Sequence, residues 1–337
     1  MISRRILATA FAALVATLLA APVLFSTQAQ AQAQAQAYPT KPIRLIVPFA
    51  PGGTTDIVAR IVADKMSRDL GHTVLVENRA GGGGMIGADL VAKSAPDGYI
   101  LGVATVSTMA TIPATTTKMP YDVLKDFTPI ISLVNVPNVM TVNPTKVPVK
   151  DMKEFIALLK KNPGKFSYAS SGSGGISHLD GELFKLLTGT FMVHIPYRGS
   201  GPALNDTIAG QVDAQMDNLP SSLPHIQAGK LRALAVMSDK RVPSLPEVPT
   251  FAEVGLKAAN NMAWYGIVAP AGLPPAIAQR IHDSAVKALN DPDSKKRFAE
   301  NGSTVDGGSA QDFEKKIRAE LALRKSIVVK QNIKLDQ

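Results

Sequence analysis

Two short stretches of this 337-residue chain carry residue types suited to holding an anion. The first is PFAPGGTTD, Pro48 to Asp56, and the second is SSGSGGISH, Ser170 to His178. Each follows a short apolar run, Ile43 to Val47 or Phe166 to Ala169, and each precedes a helix-period segment. A strand that turns through glycine into a helix start leaves backbone N–H groups unpaired, and the helix dipole favours negative charge there. Gly52 and Gly53 let the backbone approach a ligand, and Thr54 or Thr55 offers a capping hydroxyl. Asp56 falls in the first turn, where a carboxylate suits the dipole. In the second loop Ser170, Ser171, Ser173 and Ser177 supply hydroxyls, while Gly172, Gly174 and Gly175 expose N–H groups. Two such cradles, one in each half, predict a ligand held between two lobes.

Catalytic chemistry has less support. A serine elbow needs Gly-x-Ser-x-Gly, and Ser173 has Ser171 where the first glycine belongs. His178 stands where the helix has already begun and is expected to contact backbone or ligand. A periplasmic hydrolase using Ser171 or Ser173 with His178 is the alternative reading, and no feature supplies its third group. Gly82-x-Gly84-x-x-Gly87 satisfies the dinucleotide pattern, but it follows the second strand and lacks an acid about 20 residues on. We read it as a turn. There is no Walker lysine, and the five histidines form no ligand-spaced pair, so neither cofactor nor metal is expected. Asp217, at the C-terminal end of a predicted strand, is placed to meet a ligand or to cap the next helix.

The elements around these loops alternate strand with helix, which predicts an α/β fold. Strands are expected at Ile43–Phe49, Thr73–Glu77 and Tyr99–Ala104, with helices over Ile57–Leu70 and Ile86–Ser94. Thr105 to Thr117 and the apolar runs Phe127–Val134 and Val139–Val142, flanked by Pro137 and Pro144, read as the chain crossing between lobes. A second set of strands and helices follows from Asp151. Trp264 to Ala269 reads as a strand returning to the first lobe, and helices over Pro275–Asn290 and Gln311–Val328 close the chain. The expected organisation is a discontinuous lobe of residues 38–138 plus 262–337 and a second lobe of residues 139–261.

Net charge is +9 with the basic residues scattered, so nucleic-acid binding is not expected. Arg4-Arg5, the apolar run Ile6 to Leu19 and the AQAQAQAQA repeat of Ala29 to Ala37 read as a cleavable secretory signal within residues 1–37. The chain has no cysteine, which excludes disulfides, thiolate metal sites and a lipidated cysteine anchor.

The mature chain resembles solute receptors of the tripartite tricarboxylate transporter system, the Bordetella uptake gene type. The resemblance rests on YPTKPIRLIVPFAPGGTTDIVAR, VENRAGGGGMIGADLVAKSAPDGY, SSGSGGISHL, PYRGSGPALNDTIAGQVD and DNLPSSLPHIQAGKLRALAV. It implies a two-lobed periplasmic binding protein, type II-like, with two largely parallel sheets, flanking helices and two interlobe crossovers. It also implies capture of a small carboxylate, delivery to membrane transporter subunits, and no catalysis. A monomer is expected, and a ligand-sensing subunit is the other reading the fold allows. On this resemblance the loops matching Phe49 to Asp56 and Ser170 to His178 hold the carboxylate, and Thr105 to Thr108 lines the cleft. The candidate ligand-binding set is therefore Phe49, Gly52, Gly53, Thr54, Asp56, Thr105, Ser107, Ser171, Gly172, Gly174, Ser177, His178 and Asp217. Hydrogen bonds to a charged group contribute about 1.5–3 kcal/mol each. Micromolar affinity needs about 8 kcal/mol net, so an arginine clamp is not required.

Overall fold

The computed structural model describes residues 38–333, so the signal expected in residues 1–37 lies outside the described residues. Strand β1 (Ile43–Val47) is almost continuously buried, as a parallel strand covered on both faces must be. It leads into α1 (Thr54–Leu70), which buries Val58, Ile61, Val62, Met66 and Leu70 and stops at Gly71 in the left-handed region. Then come β2 (Val74–Asn78), a glycine turn, α2 (Met85–Ala92) and β3 (Ile100–Thr105). A wide helical turn, Ser107–Thr111, runs into the short α3 (Ile112–Thr115). Beyond β4 (Phe127–Val142), α4 (Met152–Lys161) starts on Asp151, whose side chain accepts the Glu154 N–H. The middle of the chain continues through β5 (Ser167–Ser170), α5 (Ile176–Thr188), β6 (Val193–Pro196) and α6 (Ser200–Ile208). It ends with β7 (Ala214–Asn218), α7 (Leu219–Gln227) and β8 (Arg232–Met237). The last part holds β9 (Met262–Pro270), α8 (Pro275–Asn290), α9 (Pro292–Glu300), β10 (Thr304–Val305) and α10 (Ala310–Lys330).

The strands form two sheet regions that meet in β4. In the first the order is β2-β1-β3-β9-β4, with β10 also on β4. In the second it is β4-β7-β5-β6, with β8 also on β4. The βα units pair in parallel, β1 with β2 and β3, and β5 with β6 and β7. Pairing along β4 and β9 is antiparallel. Separate apolar cores lie on either side, one around Ile46, Val62 and Ile131, the other around Phe155, Tyr168 and Phe184. This is the two-lobed α/β architecture of periplasmic binding proteins.

The crossing differs from the expectation in detail. The two apolar runs around Pro137 are one 16-residue strand, not two segments. Phe127 to Pro137 pairs with β9, and Asn138 to Val142 pairs with β7 and β8. Pro137 stands where the pairing partner changes, a position that tolerates a missing N–H. Thr105 to Thr117 does not cross. It winds into helix instead, with Thr111 bonded to the Val106 carbonyl and Thr115 to the Thr111 carbonyl, while Ser107 reaches Ile176 on the other side.

Candidate functional site

Four helices begin at one cavity. Its lining includes Gly53, the N-cap of α1; Ile176, the first residue of α5; Ser200, the first residue of α6; and Asn218, the N-cap of α7. None of these four helices has a side-chain hydrogen bond from its own N-cap. The starts bring the positive ends of four dipoles to the same space, although the Ile176 and Ser221 N–H groups are taken by Ser107 and Thr54. Thr55, Thr105, Ser107 and Ser171 add hydroxyl groups, and Phe49, Val106, Ala263, Trp264 and Tyr265 close the remaining walls. No ionisable acid or base other than the Tyr265 phenol lines it. The free space is ≈ 20 Å³, room for about one water molecule. The lobes are shut.

Closure is held by contacts between the two sides. Thr54 Oγ1 accepts the Ser221 N–H at 3.1 Å and meets Ser221 Oγ at 2.9 Å. Ser107 Oγ accepts the Ile176 N–H at 3.0 Å. Each hydroxyl thus caps a helix of the opposite side. The Ala50 N–H bonds the Arg198 carbonyl at 2.9 Å. Backbones touch where side chains are absent: a Cβ on Gly172 would meet Gly83 Cα at 2.8 Å, and one on Gly201 would strike the Pro51 carbonyl oxygen. The glycine run read as a turn is a turn, Gly82–Gly84, and it forms part of this contact.

Of the thirteen residues expected from the sequence, five line the cavity: Phe49, Gly53, Thr105, Ser107 and Ser171. The others have different surroundings. Thr54 makes the contact to Ser221. Asp56 is occupied by Arg60, Asn78 and the Gly52 N–H. Burial raises its pKa, but those hydrogen bonds outweigh burial and hold it below the ordinary carboxylate value. Gly172 packs on Gly83. Ser177 Oγ accepts the Ser171 N–H and bonds Ser171 Oγ at 2.9 Å, which shapes the loop from within. His178 Nδ1 accepts the Gly174 N–H at 3.1 Å, so both residues are committed to the loop. Burial pushes His178 down to about 4, and its ring stacks on His194. Asp217 is buried behind Asn218; its Oδ2 accepts from Ser221 and Ser222 at 2.8 and 2.7 Å. Burial raises its pKa, and the hydroxyls of Ser200, Ser222 and Ser221 pull it back.

A hydrolytic pair of Ser171 or Ser173 with His178 is not formed. Ser171 bonds Ser177, and His178 bonds backbone. The serine that does meet a histidine is Ser170, whose Oγ lies 2.6 Å from His194 Nε2, and it is fully buried. Among the described residues no cluster of potential metal ligands occurs, and no helix is long and apolar enough to cross a membrane.

Thr55, Val106 and Ile176 line the cavity from within the expected loops and cleft edge, and Asn218 does so from the strand end next to Asp217. Trp264 is open to reading as a cleft flank, whereas sequence reasoning missed Ser200, Ala263 and Tyr265. Ser200 had a usable signal, since strand, glycine, serine and helix recur at His194 to Ala203 as in the other two loops. Trp264 stands out only as an aromatic at a strand end, which is more often core, and Tyr265 had no local signal. They reach the site because β9 pairs with β3, placing Tyr265 opposite Thr105.

The fold and the shut interlobe cavity define a periplasmic solute-binding receptor. Residues 58–333 match the family model described as the tripartite tricarboxylate transporter family receptor, and the chain belongs to that family. It is 41% identical over 268 residues to protein BugT of Bordetella pertussis, covering 79% of this chain and 82% of that protein. The structure of R. palustris Rpa4515 with adipate superposes with a TM-score of 0.85 at 36% identity, covering 88% of this chain and 99% of that one. Rhodopseudomonas palustris MatC with bound malate gives 0.83 at 31% identity, covering 86% and 100%. Receptors of this family are periplasmic.

Proposed function

We propose that this receptor captures one small organic carboxylate between its lobes and delivers it to the membrane subunits of a tripartite transporter, as a monomer and without turnover. The observation that carries the reading is the convergence of four helix starts, none capped by its own N-cap side chain, on a cavity with no cationic side chain. Backbone N–H groups and hydroxyls can hold a carboxylate in such a place without a counter-ion. Adipate in Rpa4515 and malate in MatC, both dicarboxylates on a closely similar fold, support the ligand class.

The lobes are assigned to residues 38–138 plus 262–337 and residues 139–261, supported by the change of partner along β4 between Pro137 and Asn138. Residues 1–37 direct export. Phe49, Gly53, Thr105, Ser107 and Ser171 face the ligand together with Thr55, Ser200 and Tyr265, while Thr54 holds the lobes shut around it. Only the closed form completes all four cradles, so a ligand shifts the equilibrium toward it.

The test is a thermal-shift screen of mono-, di- and tricarboxylates, followed by calorimetry and product analysis. One equivalent bound with the acid recovered unchanged is expected. Steady consumption of any acid, ester or amide would overturn the reading, as would a panel in which no carboxylate raises the melting temperature.

A further inference from the structure

Six polar side chains between the cavity and the lobe junction form a hydrogen-bond chain of two branches, and in both the donors point toward Asp180. Tyr265 Oη, at the cavity, donates to Asn218 Oδ1 at 2.7 Å. Asn218 Nδ2 donates to Asn138 Oδ1, and Asn138 Nδ2 donates to Asp180 Oδ2 at 3.2 Å. From the other side, Arg324 Nη2 donates to Asn261 Oδ1, and Asn261 Nδ2 donates to Asp180 Oδ1 at 3.1 Å. An arginine has no acceptor, so Asn261 must turn its oxygen to Arg324 and its amide to Asp180. Both carboxylate oxygens are therefore acceptors, and the two branches end on Asp180.

The placement of these groups is as informative as their direction. Asn138 is the first residue of β4 to pair with β7, and Asn261 immediately precedes β9. The two asparagines thus mark the two passages between sheet regions. Asp180 lies on α5, the helix that starts at the second loop. Arg324 is on α10, where it also bonds Glu320, and Glu320 accepts from Trp264 Nε1. Asp180 and Arg324 are almost fully buried, 1% and 2% exposed. With the lobes bounded at Asn138 and Asn261, four links join one lobe to the other: Tyr265 with Asn218, Asn218 with Asn138, Asn138 with Asp180, and Arg324 with Asn261.

We propose that Asp180 is a positioning residue for ligand capture, fixing the direction of a hydrogen-bond chain that ties both interlobe passages and the Tyr265–Asn218 contact into one closed arrangement. Burial, with Glu320 nearby, raises its carboxyl, and Arg324 and the amides of Asn261 and Asn138 offset that in part, leaving it at about 6, so with donors on both oxygens it accepts as the anion at neutral pH. An amide at this position would turn one donor toward another. The chain would then lose a link, and the closed form would lose its advantage over the open one.

The inference rests on the two-lobed receptor reading, and its test needs no ligand. The chain has no cysteine, so Arg68→Cys and Lys161→Cys create unique label sites, both at exposed positions. Pulsed electron–electron resonance on the ligand-free protein at neutral pH then reads the closed-to-open ratio. D180N and Y265F should each lower it about fivefold, the effect of one hydrogen bond. Because both act through one chain, the double variant should fall no more than about twofold further. Additive shifts, or no shift with D180N while two populations are visible, would overturn the role of Asp180. A single population in every variant that no carboxylate moves would remove the receptor reading along with it. Should D180N not fold, Asn138→Ser replaces it in the same cycle, with the same coupling to Y265F expected and additivity again decisive.

Discussion

Thr54 and Ser221 meet across the cleft with 2.9 Å between their hydroxyl oxygens, and the same Thr54 oxygen caps the Ser221 N–H. Thr54 thus serves two helices: it is the first residue of α1 and a capping group for α7. Thr54→Val keeps the shape and removes both bonds. Losing them should weaken carboxylate affinity about thirtyfold, since each is worth about 1 kcal/mol. The ligand-free melting temperature should move by no more than about 2 °C if the open form dominates there. Calorimetry and thermal melts check both halves, and an unchanged affinity would mean that this contact does not help closure.

Gly201 approaches the other side so closely that a Cβ would strike the Pro51 carbonyl oxygen. Its own helix tolerates alanine well. Gly201→Ala should therefore obstruct closure while leaving each lobe intact. We expect at least about a hundredfold loss of affinity with an unchanged or slightly raised ligand-free melting temperature. Small-angle scattering with excess ligand should show the variant staying open, and normal compaction would contradict the packing.

Acid should destabilise the protein through two stacked histidines. Burial lowers His178 to about 4 and, with His178 beside it, His194 to about 3, from an ordinary 6.5. Between pH 6.5 and 4 the unfolded chain binds protons that the folded one refuses, so stability is lost as pH falls through that window. Asp180 acts in the opposite sense between 3.8 and about 6, where the fold binds the extra proton. Asp217, also raised by burial, acts in the same sense as Asp180, and the two histidines, whose window opens at 6.5 and is wider than that of Asp180, leave the net fall. His194→Phe preserves stacking and should flatten the drop in melting temperature between pH 6.5 and 4.5. An unaltered slope would place the acid sensitivity elsewhere.

A site without cationic side chains should bind a carboxylate with little dependence on salt. Raising ionic strength from about 50 to about 500 mM should change the dissociation constant by less than about threefold, because fixed N–H dipoles at short range are poorly screened. A tenfold weakening in the same titration would point to a charged contact that the cavity lining lacks.

Much of this site was legible because its signals are local. Pro48 to Asp56 and Ser170 to His178 announce a strand, a glycine turn and a helix start within nine residues each, and both are built that way. Inside the loops the structure gives several of the expected residues other partners. Asp56 has Arg60 one helical turn away and pairs with it. His178 falls within one turn of Gly174 and stabilises the loop instead of facing the cleft. The remaining walls come from register. Tyr265 stands 160 positions from Thr105 in sequence, and only the antiparallel pairing of β3 with β9 makes them neighbours. No pattern within a window of the chain encodes that, nor the meeting of Asn138 with Asp180.

β4 passes through both sheet regions without a break. At about 3.3 Å per residue its 16 residues reach roughly 50 Å. A joint made of loop swings freely, like a pin. This joint is a ribbon clamped by β9 at one end and by β7 and β8 at the other. Rotation of one lobe against the other must be taken up as added twist along that ribbon, which makes β4 the receptor's torsion bar.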